Sequence, residues 1–397
     1  MIKLSQRLLT MEESATLAMS RKSRELKAAG KDIISLSLGE PDFHTPQFIK
    51  DAAIEAMNNN FTTYTPVPGY DDLREAIVHK FKRDNGLNYT KDQIVVSTGA
   101  KQSIANVVLS LIDQGDEVII PAPYWVSYLE IVKLSEGTPV IIHADISTDF
   151  KITAEQLENA ITDKTRMMIF STPCNPTGSV YSKDELRALA DVIHKHKNLV
   201  VISDEIYEHI NFAVGHESLA QFPEIFDQVV TINGVSKAWA MTGWRLGYIG
   251  ACKEIADACT KIQGQFTSGT SSITQKASIA ALKAEPEVLK EMIAAFKGRR
   301  ELVLNALKKI PGVKINVPDG AFYVFPDISY YFGKKYADFH IKSAEDLCMF
   351  LLSEAMVAVV TGEAFGDPNC IRISYAASNE ILETAMERIR LALDKLQ

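Results

Sequence analysis

No run of about 18 apolar residues occurs, and Glu12 and Glu13 stand where a signal peptide needs its apolar centre, so neither a membrane span nor export is expected. Cysteine is sparse and irregular. Cys174, Cys252, Cys259, Cys348 and Cys370 are odd in number and lack CxxC spacing, which suits reduced core thiols and a cytoplasmic location. Positive charge is in deficit: 42 Lys and Arg against 50 Asp and Glu leave a net charge of −8. That balance argues against sequence-independent binding to nucleic acid or to an anionic membrane, and leaves small neutral or locally steered ligands. Neither GxGxxG nor GxxxxGK followed by Ser or Thr is present, so no dinucleotide or P-loop fingerprint can be argued. His194 and His196 lie two apart and cannot share a helix face, and with no Cys or carboxylate cluster beside them no metal is expected.

What is present is ordinary globular material. The 397 residues are 46% hydrophobic and 23% charged, enough for about two or three domains that bury about three quarters of the unfolded surface. Seven short apolar runs alternate with helical patterns: Gln93 to Ser97, Glu117 to Ile120, Val140 to Ile142, Arg166 to Phe170, Leu199 to Ser203, Gln228 to Ile232 and Leu246 to Gly250. Apolar runs without strict alternation predict buried strands of a mostly parallel α/β sheet flanked by helices. After Ala284-Glu285-Pro286 the pattern changes. A charged helix to about Lys309 precedes strand-like runs at Val313 to Val317 and Phe322 to Phe325, a helix near Ala344 to Met356, runs at Val357 to Val360 and Ile371 to Ser374, and a closing helix. This order predicts a smaller α+β domain over 286–397, a large domain over 46–285, and an N-terminal arm over 1–45 that joins the small domain. A ligand would sit in the cleft between them, at the carboxyl ends of the strands.

Three segments that follow predicted inner strands carry candidate chemistry. Val229 to Trp244 contains one charge, Lys237. Desolvation would lower its pKa and make a neutral amine available near pH 7, unless the side chain snorkels to the surface. In Leu199 to Tyr207, Asp204 ends an apolar run and Tyr207 lies three residues on. A carboxylate there needs a cation or a strong donor, and a structural salt bridge would also serve. Ser171 to Gly178 is held non-helical by Pro173, Pro176 and Gly178, and could offer the Asn175 amide to a ligand or simply make a turn.

The order Asn175, Asp204-Glu205-Ile206-Tyr207, Ser236-Lys237 and Gly243-Trp244-Arg245 resembles the fold-type I, class I (subgroup Ib-like) pyridoxal-phosphate aminotransferases. The resemblance runs from Ser37-Leu38-Gly39-Glu40-Pro41-Asp42 through Tyr64 and Gly69 to Arg372-Ile373-Ser374-Tyr375. It implies pyridoxal 5'-phosphate held by Lys237 as a Schiff base, with the displaced lysine then carrying the proton at the substrate's α-carbon. Asp204 would pair with the pyridine nitrogen, and Tyr207 and Asn175 would donate to the ring's phenolate oxygen. The phosphate would lie on Ser97-Thr98-Gly99-Ala100-Lys101-Gln102, where Gly99, Ala100 and Lys101 open a helix, with Ser236, Arg245 and a neighbouring subunit's Tyr64 as further ligands. Trp125 would stack on the ring. For the substrate the resemblance implies Arg372 on the α-carboxylate, lined by Gly39, Trp125 and Asn175. Cys174 departs from the asparagine common in close relatives.

Lys101 is the specificity signal. In the aspartate-using subgroup that lacks the usual distal arginine, a lysine in this Gly-x-Lys-Gln loop goes with the side-chain carboxylate of a dicarboxylate substrate. Alternatively, it only raises the positive potential around the phosphate. The resemblance thus implies a homodimer that transfers the amino group of aspartate to 2-oxoglutarate with ping-pong kinetics. Rival readings are an aminotransferase for prephenate or aromatic keto acids, a pyridoxal-phosphate lyase, and a non-catalytic binding protein.

Overall fold

The computed structural model describes residues 2–213 and 215–397. The chain begins with α1 (Gln6–Leu9), α2 (Ala15–Ala28), a short strand β1 (Ile34–Ser35), α3 (Gln47–Asn58) and α4 (Asp71–Asn85). The seven apolar runs then become β2 (Ile94–Ser97), β3 (Glu117–Ala122), β4 (Thr138–His143), β5 (Thr165–Ser171), β6 (Val200–Asp204), β7 (Val229–Gly234) and β8 (Gly247–Gly250). Between them lie α5 (Ala100–Leu111), α6 (Ser127–Leu134), α7 (Ala154–Ala160) and α8 (Lys183–Lys195), and α9 (Lys253–Phe266) and α10 (Ser272–Lys283) follow.

These strands form one 7-stranded sheet in the order β2-β8-β7-β6-β5-β3-β4. Only β8 runs antiparallel to its neighbours. The missing alternation has a direct cause. Ile94 and Val96 enter one core with Met168 and Phe170, while Val95 enters the other with Met167 and Ile169. Both faces are covered, so successive side chains are mostly apolar. The β5–β6 register sets Ser171 beside Asp204, and the β6–β7 register sets Asp204 beside Ile232. The carboxyl ends of the inner strands thus share one edge.

The remainder comprises α11 (Lys290–Leu307), β9 (Tyr323–Val324), β10 (Lys335–Tyr336), β11 (Phe339–His340), α12 (Ala344–Phe350), β12 (Val357–Ala358), β13 (Val360–Thr361), β14 (Ile371–Ser374) and α13 (Asn379–Leu393). A 3-stranded antiparallel sheet has the order β13-β14-β9. The N-terminal segment is tied to this part: β1 pairs in parallel with β12, and Ser374 N donates to Leu36 O at 2.9 Å.

Three local expectations need correction. Val313 to Val317 forms no strand and keeps only a bridge between Lys314 and Asp327. Pro318 closes the run without an N–H to give, and the Asn316 amide turns instead to Asp149 Oδ1 at 2.9 Å and Thr177 O at 3.2 Å. The helix from Ala344 is α-helical only to Phe350, continues as a π turn over Leu351–Ala355, and stops where Met356 enters the left-handed region at φ 54°. The Val357 to Val360 run splits at Val359, because β12 pairs with β1 while β13 pairs with β14. No helix among the described residues is long and apolar enough to cross a membrane.

Candidate active site

A cavity of about 260 Å³ opens where the strands end. Gly39, Ala100, Lys101, Trp125, Asn175, Asp204, Tyr207, Ser236, Lys237, Arg245 and Arg372 all line it. Gly99 lies just behind Arg245. Tyr64 does not line the cavity; it is 97% exposed.

Lys237 follows β7 and is half-buried, its ammonium turned into the cavity rather than snorkelling outward. Its ammonium donates to Gly39 O at 2.7 Å and lies 5.7 Å from the centre of the Tyr207 ring. Burial, with Arg372 nearby, pulls its pKa down to about 8. Asp204, at the end of β6, makes no salt bridge among the described residues. It accepts the Tyr128 O–H at 2.6 Å and the Ile206 N–H at 3.3 Å. Burial raises its pKa to about 6, against the pull of those two bonds.

The loop from β2 to α5 makes a cradle. Gly99 has φ +86°, and a Cβ there would lie 2.3 Å from Arg245 Nη2, so only glycine allows both the turn and the close approach. Gln102 Oε1 accepts the Thr98 N–H at 2.6 Å, while the first amides of α5 have no acceptor within the helix. Arg245 Nη1 donates to Thr242 O at 2.9 Å. The Lys101 ammonium stands 4.9 Å from the centre of the Trp125 ring, and burial, then Arg245, lowers its pKa.

Arg372, on β14, is 2% exposed. Its Nη1 donates to Asn175 Oδ1 at 2.9 Å and its Nη2 to Ser37 O at 2.5 Å, while Nε is buried without a partner. Tyr323 and Phe365 pack on the guanidinium at 4.6 and 4.8 Å. Burial depresses its pKa. The Tyr207 and Tyr323 hydroxyls share a 2.7 Å hydrogen bond. A Cβ on Gly39 would meet the Tyr323 oxygen at 2.0 Å.

Sequence reasoning missed Tyr128, Tyr323 and the α2 residues Thr16 and Leu17, all of which line the cavity. Tyr323 sits in Ala321-Phe322-Tyr323-Val324-Phe325, which reads as core. Tyr128, three residues beyond Trp125, was the more accessible signal. Away from the cavity, Asp84, Glu208 and His209, and likewise Glu205, Glu208 and His216, converge closely enough to hold a cation. The Lys80 ammonium already pairs with Glu208 there; burial pushes that carboxyl up, but Lys80 together with His209 and His216 holds it down at about 2.

The side chains fit pyridoxal 5'-phosphate in charge and position. Among the described residues Asp204 is a buried acid lacking a cation, which a protonated pyridine nitrogen would supply. Arg372 Nε is a buried donor lacking an acceptor, and Arg245 beside the α5 amides suits a phosphate dianion.

Known proteins point the same way. The chain is 50% identical over 397 residues, 99% of its length and 83% of the relative's, to a bifunctional aspartate aminotransferase and glutamate/aspartate-prephenate aminotransferase of Petunia hybrida. It is 46% identical to an aspartate/prephenate aminotransferase of Nitrosomonas europaea, covering 98% of this chain and 99% of that one. Among solved structures, an aspartate aminotransferase from Rhizobium meliloti superposes with a TM-score of 0.97 at 43% identity over 100% of both chains. Residues 31–389 match the family described as aminotransferase class I and II, and the chain belongs to that family.

Proposed function

We propose that the chain uses pyridoxal 5'-phosphate to transfer the amino group of L-aspartate to 2-oxoglutarate, giving oxaloacetate and L-glutamate in ping-pong order. One observation carries this reading: a single cavity holds a desolvated lysine and, among the described residues, a buried carboxylate without a counterion and a buried arginine with a free donor.

Lys237 would anchor the cofactor, Asp204 would face its ring nitrogen, and Tyr207 and Asn175 its phenolate oxygen. Trp125 would cover the ring, and Gly99, Ala100, Lys101, Ser236 and Arg245 would take the phosphate. When bound, the cofactor supplies an electron sink for negative charge at the substrate's α-carbon. Arg372 receives the α-carboxylate, held in orientation by Asn175 and Ser37. Lys237, with a pKa near 8, is neutral in a useful fraction of molecules at neutral pH and moves the α-proton. Lys101 receives the side-chain carboxylate. The arm over 1–45 and the part over 286–397 close on 46–285, and α2 completes the wall that excludes water.

Tyr64 would act on the phosphate of a partner subunit, in keeping with its exposure and its absence from its own cavity. Exposed Ile54, Met57 and Phe266 suit an interface with a second copy. The five free thiols are in keeping with action in the cytoplasm.

The test is the visible spectrum. A yellow protein should bleach with aspartate and recover with 2-oxoglutarate. A lyase would release product without needing a keto acid. Prephenate is the second acceptor to compare, since it appears in the names of the Petunia and Nitrosomonas relatives. Initial rates with aspartate, prephenate, tyrosine and alanine separate the readings, and negligible aspartate turnover would reject the first.

A further inference from the structure

Tyr128 has no role in the scheme above, yet it touches two residues that do. It lies in the first turn of α6 and is fully buried. Its O–H donates to Asp204 Oδ2 at 2.6 Å. Its ring meets the Trp125 ring edge-on, with centroids 5.5 Å apart at 85°. The other donor to Asp204 is the Ile206 N–H at 3.3 Å, longer and from backbone.

The groups facing Asp204 come from several elements. Lys237 approaches from the loop after β7 and favours the ionised form; Glu205, next in the chain, opposes it. The Glu205 carboxylate is itself engaged by His216 at 2.9 Å and by the Ser203 and Ser218 hydroxyls. Tyr207 lies one turn on, and Cys174 faces Tyr128 from the loop after β5. A short O–H to carboxylate bond favours the ionised acid. Tyr128 cannot lose its own proton in exchange, because burial and the Asp204 charge hold it well above the usual phenol range.

We propose that Tyr128 is a positioning residue: its hydroxyl keeps Asp204 ionised in its present orientation at the cavity wall, while its ring packs perpendicular to Trp125 and supports it. This rests on the reading of Asp204 as partner of the cofactor's ring nitrogen.

The experiment measures binding of pyridoxal 5'-phosphate to the cofactor-free chain by equilibrium dialysis from pH 5 to 9, alongside the pH profile of kcat/KM. Tyr128→Phe keeps the ring and removes the donor. Its acid limb should move up by about one pH unit, so that affinity falls about fivefold near pH 6, about tenfold near pH 5, and little above pH 8. In an Asp204→Asn background the same substitution should move no limb. Site-specific replacement of Tyr128 by 3-fluorotyrosine, a stronger donor of nearly the same shape, should move the limb downward and covers the case in which Tyr128→Phe does not fold. Equal loss at every pH, or an unmoved limb, overturns the role given to Tyr128. A parent chain that does not bind the cofactor, or binds it equally well after Asp204→Asn, overturns the reading of Asp204 itself and the inference with it.

Discussion

Asp204→Asn removes a buried charge that the cofactor-free protein carries without a counterion among its described residues, so it should stabilise that protein while disabling it. The sign follows from the pKa. Asp204 titrates at about 6 when folded, above its value of 3.8 when free. The native state therefore binds more protons than the unfolded chain between pH 4 and 6, and stability falls as pH rises through that window. The cost of the ionised form is about 3 kcal/mol at pH 8 and about half that at pH 5, where the folded acid is still largely protonated. The asparagine keeps an oxygen for the Tyr128 O–H and adds only an offset that does not depend on pH. Thermal unfolding of both cofactor-free proteins at pH 5 and pH 8 measures the difference. The variant should gain about 2–3 °C more in midpoint at pH 8 than its gain at pH 5, the small shift per kcal/mol of a large chain. An identical difference at both pH values would show that Asp204 is not a raised acid. With cofactor and aspartate, the same variant should lose turnover.

Other substitutions probe the rest of the cavity. Lys237→Ala should lower amino transfer by at least about 10²–10⁴-fold, the range for losing a positioned acid–base group, while cofactor still binds through phosphate and ring contacts; retained activity would refute the proton shuttle. Arg372→Lys should raise KM for aspartate about tenfold or more, because a point charge cannot serve Asn175, Ser37 and a carboxylate together; steady-state kinetics decide it. For His216, burial lowers the pKa but the bonded Glu205 carboxylate, with Glu208, raises it more, leaving it above the usual histidine value. Its stabilisation is present below about pH 6.5 and is lost as pH rises through the folded pKa. The melting midpoint of His216→Gln should therefore fall further behind the parent at pH 6 than at pH 9, and a constant gap would refute this.

Local sequence decided where strands could form and where polar groups interrupt them. The seven runs between Ile94 and Gly250 are mostly apolar without strict alternation because the inner strands face two cores, and that requirement is written in the local sequence. Asn175, Asp204 and Lys237 were legible for a related reason: each is a polar group just past a run that must be buried. Resemblance added Arg372, Gly39 and Tyr64, whose neighbourhoods carry no local signal. Partnership between distant segments was decided only by the tertiary structure. Val313 to Val317 has strand composition but no neighbour beyond Asp327, and Val357 to Val360 serves two sheets because β1 and β14 arrive from opposite ends of the chain. Arg372 meets Ser37 across 335 positions and Asn175 across 197. Tyr128 and Tyr323 look like core until their hydroxyls are seen against Asp204 and Tyr207. Periodicity reports how deeply a residue is buried; which group it then meets depends on how the strands are ordered in the sheet and how the chain ends pack against it.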